Sequence, residues 1–134
     1  MSNFRRVNDD FSVSPQVSEA DIDAAAAAGF RTIVNNRPDG EEAGQPAAAA
    51  LRARAEELGL KWVDAPVSAI GPEAGERMGQ AMAQAQGPVL AFCRTGTRSI
   101  STWAMAEAAA GRRSRDELVE LGREAGYDLS RLPL

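Results

Sequence analysis

The sequence predicts an α/β protein with a mainly parallel sheet of four to five strands and helices on both faces. Three observations predict it. Short apolar runs alternate with longer helix-forming stretches along the chain, the pattern of strand–helix–strand units with parallel neighbours. The run "VLAF", residues 89–92, is apolar throughout, as a strand covered on both faces should be. Glycine, proline and serine caps stand at the joints between these stretches.

The elements follow in order. Phe4–Val7 and Phe11–Val13 read as short strands around a turn at Asn8-Asp9-Asp10. Ser18, with Asp21 three residues on, is a near capping box for a helix running through the alanines to Gly29. "FRTIVNN" is a buried strand, and "RPDGEEAGQ" a polar loop turning at Pro38-Asp39-Gly40. Pro46 marks the start of a helix with Leu51, Ala55 and Leu58 on one face, ending near Gly59. "LKWVDAPV" is the next strand and its exit. Gly71-Pro72 opens a helix lined by Met78, Met82 and Ala85, and Gly87-Pro88 closes it before "VLAF". Ser99 to Ala110 reads as helix. Ser114 with Glu117 caps a last one to about Ala125, and 126–134 is a tail. Trp62 and Trp103 read as core residues. Arg112, Arg113 and Arg115 read as a solvated helix junction.

Composition narrows the chemistry. At 134 residues the chain is expected to be one domain, 1–134, with one sizeable core. A net charge of −4 argues against general nucleic-acid binding, and no apolar run is long enough to span a bilayer. "MSNFRRVNDDF" lacks the apolar centre of a signal peptide, so a cytoplasmic protein is expected. There is no histidine, which removes Ser-His-Asp and Cys-His mechanisms. A lone cysteine excludes an intrachain disulfide and makes a structural zinc site improbable; no metal and no cofactor are expected. Lys61 is the only lysine; every other basic side chain is arginine, suited to forked contacts with oxyanions.

That cysteine, Cys93, stands directly after the buried strand and directly before a helix, in "AFCRTGTRSI". In a parallel sheet ligands bind beyond the carboxyl ends of the strands. Backbone N–H groups opening the following helix point there and favour an anion, and the same field favours thiolate over thiol. Gly96 permits positive φ or close backbone approach in a ring of inward N–H groups. Arg94, Thr95, Gly96, Thr97 and Ser99 are therefore expected to form an anion-binding loop. Arg98 offers its fork to an oxyanion, and Ser99 or Thr95 can donate to the sulfur or the anion. A buried structural cysteine would explain neither the arginines nor the glycine. "NNRPDGEE" leaves a strand at the same sheet edge; Asn35 and Arg37 read there either as substrate contacts or as turn-forming groups.

The strand–Cys–loop–Arg–helix layout resembles the protein tyrosine phosphatase superfamily and the rhodanese sulfurtransferases. Over nearly the whole chain, "FSVSPQ" (11–16), "GFRTIVNNRPDGEE" (29–42), "QP" (45–46) and "GPVLAFCRTGTRS" (87–99) resemble the bacterial beta-lactamase-hydrolase-like family. Its members have a dual-specificity-phosphatase-like fold and are variously taken as phosphatases or sulfur transferases. Some are fused to a metallo-β-lactamase-type persulfide dioxygenase. The resemblance implies Cys93 as nucleophile, and a persulfide dioxygenase or another sulfur-metabolism enzyme as partner.

The phosphatase pattern fits in part. It places five residues between Cys and Arg and usually a histidine before the Cys; here Arg98 arrives one residue early, Ser99 holds the next position, and Phe92 replaces the histidine. A loop of this length, as in rhodaneses, closes a narrower ring better matched to a sulfane sulfur. Phosphatases also need a carboxylic acid to protonate the leaving oxygen. Where the family carries it, after "KWVDAPV", this chain has Ser68 and Ala69. Asp64 and Asp39 are the candidates that remain, with Glu41 and Glu42 in the same loop as Asp39; Glu73 begins the next helix. Sulfur transfer needs no such acid. The leading expectation is a sulfurtransferase forming a Cys93 persulfide from a small sulfur oxyanion or persulfide. The alternatives are a phosphatase acting on a phosphoester through a phosphocysteine, and a non-catalytic module binding anions or phosphopeptides.

Overall fold

A computed structural model describes residues 3–134. Ten elements run in the order β1 (Arg5–Asn8), β2 (Phe11–Ser14), α1 (Glu19–Ala27), β3 (Thr32–Asn35), α2 (Ala48–Glu57), β4 (Lys61–Asp64), α3 (Pro72–Gln84), β5 (Val89–Phe92), α4 (Thr97–Ala109) and α5 (Arg115–Glu124). The sheet order is β1-β2-β5-β3-β4; only β1 runs antiparallel. The predicted fold class holds, with four parallel strands and one antiparallel edge strand.

β5 lies at the centre, and its four residues divide between two cores. Val89 and Ala91 join a cluster with Val13, Val34, Met78, Ile100, Trp103, Leu118 and Leu129, on the side of α3, α4 and α5. Leu90 and Phe92 join Val17, Ile22, Ile33, Leu51 and Trp62, on the side of α1 and α2. All four are buried, which is why the strand shows no polar alternation. Each fully buried aliphatic or aromatic side chain stabilises the fold by about 1.5–3 kcal/mol. Trp103 stacks on Phe11 at 4.9 Å, and Trp62 is also buried, as expected of core residues.

The strand ends are level. Ser14 pairs with Phe92, Phe92 with Asn35, and Asn35 with Asp64. The loops that leave β5, β3 and β4 therefore start at one height, and cross-bonds knit them: Asn36 N–H donates to Phe92 O at 2.9 Å and Val67 N–H to Asn36 O at 2.8 Å.

The helix starts follow local chemistry. Ser18–Asp21 and Ser114–Glu117 form full capping boxes on α1 and α5, and Gly71-Pro72 opens α3, as the sequence predicts. Other details differ from the expectation. Pro46 lies outside α2, which begins at Ala48, where the backbone N–H is taken by Asp39 Oδ1 at 2.9 Å from nine residues back. Leu58 is 37% exposed and stands at the C-cap, just past the end of α2, rather than on its buried face. α4 begins at Thr97, two residues before the expected start, since Gly96 at φ +92° ends the loop early. The segment after α5 is no loose tail: Leu129 is buried against Gly122, and Tyr127 N–H donates to Gly122 O at 2.8 Å. Arg112 and Arg113 pair with Glu107, and Arg115 donates to the carbonyls of Leu132 and Ser130. Among the described residues no helix is long and apolar enough to cross a membrane.

Candidate active site

Cys93 leaves β5 at the level edge and is fully buried. Its own N–H reaches back to Ser14 O at 3.4 Å. The Gly96 N–H donates to Cys93 Sγ at 3.1 Å. Residue 96 then continues with left-handed backbone, φ +92°, which glycine adopts without strain. The inward amide expected for an anion loop is thus present, and in this state it serves the sulfur.

Around it the predicted loop residues divide. Thr95 and Thr97 are exposed and bond each other, Oγ1 to Oγ1 at 3.0 Å. Arg94 is mostly exposed, with Nε 3.8 Å from Glu42. Ser99 is fully buried, and its Oγ is one of two buried side-chain polar atoms without a partner among the described residues. It is the loop hydroxyl left available to donate. Tyr127, which sequence reasoning missed, donates its O–H to Thr95 O at 2.8 Å.

Arg98 is anchored from two other loops. Nη1 donates to Glu41 Oε2 and to Val67 O, each at 2.7 Å, and Nη2 donates to Glu41 Oε1 at 2.8 Å. The end of the fork expected to hold an oxyanion is therefore filled by Glu41. A guanidinium has five N–H groups. The three bonds leave Nε–H and one Nη2–H, which share the side edge of the group. That edge is the one left for the sulfur and an incoming oxyanion. Arg98 is raised above the usual arginine range first by Glu41 and, against the opposing effect of burial, also by the charge of Cys93.

Glu41, one of the acid candidates in the sequence, has the opposite character. Hydrogen bonds from Arg98 first, and also from Arg37, outweigh its burial and lower its carboxyl to about 2. It stays ionised at neutral pH and cannot donate a proton. Arg37 is 2% exposed and serves three acceptors: Glu41 Oε1 at 2.9 Å, Gln16 Oε1 at 3.0 Å and Glu42 Oε1 at 2.9 Å. Burial would lower its pKa, but the two carboxylates more than offset this and raise it. Glu42 is lowered in turn, by Arg37 first and then Arg94. Together Arg37, Glu41, Glu42, Ser68, Arg94 and Arg98 line a cleft of about 430 Å³.

The other candidates are engaged elsewhere. Asn35 Oδ1 accepts from Arg37 N–H at 2.9 Å, the turn-forming bond, and its amide donates to Asp64 at 3.2 Å. Arg37 is tied into the network rather than presented as a free substrate contact. Asp64 accepts from Asn35 and from Trp62 Nε1 at 2.8 Å, and lies 3.9 Å from Arg52; none of these belongs to the Cys93 loop. Asp39 caps α2. Ser68 lines the cleft where an acid was sought. Among the described residues no group of three or more histidine, cysteine, aspartate or glutamate side chains is placed to hold a metal. A cue to the Arg37–Glu41–Glu42 network existed in "RPDGEE", where one arginine is followed four and five residues on by two glutamates; Tyr127 offered none, because its partner is 32 residues away.

Comparison with known proteins places this geometry. A family model for the beta-lactamase hydrolase-like protein, phosphatase-like domain, matches residues 3–110. A beta-lactamase hydrolase-like protein of Agrobacterium fabrum is 38% identical over 128 residues, covering 92% of this chain and 29% of the relative. The chain thus spans under a third of that relative's length. A crystal structure from Neisseria meningitidis Z2491, of a protein named as a candidate phosphatase, superposes with a TM-score of 0.84 at 35% identity, covering 97% of this chain and 93% of that one. A Shewanella putrefaciens CN-32 structure, also of a candidate phosphatase, reaches a TM-score of 0.76 at 17% identity, covering 94% and 79%; it shares the fold.

Proposed function

We propose a reaction for this site from one premise: the chain belongs to the beta-lactamase hydrolase-like family, in its phosphatase-like domain. It is a sulfurtransferase with Cys93 as nucleophile. The Cys93 thiolate attacks the sulfane sulfur of a donor such as thiosulfate or a small persulfide. A new S–S bond forms at Sγ, the donor's S–S bond breaks, and its electron pair leaves with sulfite or a thiolate. An acceptor thiolate or other nucleophile then takes the outer sulfur and returns Cys93 as thiolate. The Gly96 amide and the side edge of Arg98 hold the negative charge through both steps. The sulfur would be exchanged with another enzyme of sulfur metabolism, a persulfide dioxygenase being one such class.

The observation that carries this reading is the state of the carboxylates. Glu41 is fixed as an anion between two guanidiniums, Asp39 caps a helix, and Asp64 is occupied by Asn35 and Trp62. A phosphomonoester requires a proton donor for its leaving oxygen; transfer of a sulfane sulfur does not.

Phosphoester hydrolysis through a phosphocysteine is the second reading. It is favoured by the 35%-identical Neisseria structure, named as a candidate phosphatase.

Intact-protein mass spectrometry after incubation with thiosulfate, beside an aryl phosphate assay, separates them. One added sulfur, absent in Cys93→Ser, with no phosphate release, is the expected result. Cys93-dependent phosphate release without a sulfur adduct would favour hydrolysis. Neither activity, with sulfate binding retained in Cys93→Ser, would mark a binding module.

A further inference from the structure

The Cys93 loop depends on one peptide unit. The N–H that donates to Cys93 Sγ belongs to Gly96, and the carbonyl at the other end of that same planar unit belongs to Thr95. The two point in opposite directions. Tyr127 O–H donates to the Thr95 carbonyl at 2.8 Å, so a residue after α5 grips the outer end of the unit whose inner end faces the sulfur.

Tyr127 is built into this place. Its ring lies under the Arg5 guanidinium, 5.4 Å from centroid to Cζ, and Arg5 Nη1 also donates to Ala125 O at 3.4 Å. Its backbone N–H bonds Gly122 O, and Leu129, two residues on, is 1% exposed in the core. A Cβ on Gly96 would overlap the Tyr127 hydroxyl, so the phenol fills the space that the absence of a side chain opens. Burial first, with Arg5 opposing and the charge of Cys93 adding, raises the phenol above its ordinary value, which keeps it a donor near neutrality. Tyr127 also lies beyond residues 3–110, the part matched by the family model.

We propose that Tyr127 is a positioning residue for the nucleophile: its hydroxyl holds the Thr95 carbonyl outward and thereby keeps the Gly96 N–H aimed at Cys93 Sγ. Without that bond the Thr95–Gly96 unit is free to rotate, because glycine tolerates the alternative backbone angles. The sulfur then loses its amide for part of the time, and the carbonyl oxygen turned in its place opposes a thiolate. This rests on Cys93 being the reacting atom, but not on which group it transfers.

Tyr127→Phe removes only the hydroxyl. The test is the second-order rate of Cys93 alkylation by iodoacetamide at fixed pH, which needs no substrate, together with the amide proton shift of Gly96 by NMR and the thermal midpoint. The expected result is a roughly three- to tenfold slower alkylation, the worth of one hydrogen bond, with a moved Gly96 resonance and a nearly unchanged midpoint. An unchanged rate with an unmoved resonance overturns the proposal. So does a slower rate that tracks a lowered midpoint while Gly96 in the folded form keeps its shift. Because the resonance is read from folded molecules, a marginally stable variant still decides. Failure of sulfur transfer with a confirmed alkylation effect would reject the reaction and leave the role of Tyr127 standing.

Discussion

Arg37 reaches Arg98 through one shared oxygen: Glu41 Oε1 accepts from Arg37 Nε at 2.9 Å and from Arg98 Nη2 at 2.8 Å. The candidate catalytic guanidinium is thus fixed to a fully buried one.

Glu41→Gln should lower kcat about tenfold, and Glu41→Ala further, with KM for the donor changing less. An amide offers one oxygen where the carboxylate offers two, so Arg98 loses one of its two bonds to residue 41. Charge-assisted bonds of this kind are worth roughly twice a neutral one. Steady-state kinetics check it; a Glu41→Ala enzyme as fast as the parent would show that Arg98 needs no anchor.

Acid should destabilise the protein through the same residue. The folded carboxyl titrates near 2 against an ordinary value of 4.5, so its contribution is complete above about 4.5 and disappears as pH falls towards about 2. Thermal midpoints taken across that window should fall more steeply for the parent than for Glu41→Gln.

Arg37→Ala should cost about 3 kcal/mol, because it leaves three acceptors without their buried donor. Arg37→Lys should recover little, since an ammonium cannot span the same three oxygens. Urea unfolding measures both.

Arg98→Lys should reduce turnover by roughly 10²-fold while leaving the fold intact. A point charge cannot hold Glu41 and Val67 at one end and offer a flat edge at the other. Activity within a few-fold of the parent would remove Arg98 from the mechanism.

Asp39→Ala should lower stability by about 1 kcal/mol, as the loss of a helix cap does, with chemistry unaffected. A large loss of turnover at unchanged stability would restore Asp39 as an acid.

Much of the scaffold was legible in the sequence for local reasons. "VLAF" announces its two-sided burial by composition, and Ser18, Ser114 and Gly71-Pro72 carry helix starts in adjacent residues. What escaped depends on distant partners. Pro46 looked like a helix start because the true cap, Asp39, sits nine residues away. Residues 126–134 read as a tail because their apolar residues follow no helix or strand period, and the pocket for Leu129 is made by Gly122 and the core beyond. In the site, Cys93, Gly96 and Arg98 could be named from spacing alone. The charge state of Glu41 could not, since one guanidinium that sets it is 57 residues further on.

The level strand ends have a consequence for how such a site can change. Because β5, β3 and β4 stop together, the rim above them could in principle be re-cut like the bit of a key, leaving the shank untouched. Here the cuts are not independent: the piece that follows β3 holds the guanidinium that follows β5, and the piece that follows β4 braces it. Grafting a new recognition loop between residues 37 and 45 would loosen Arg98 even if every graft residue suited its new ligand, so retargeting this scaffold means exchanging all three pieces as a set.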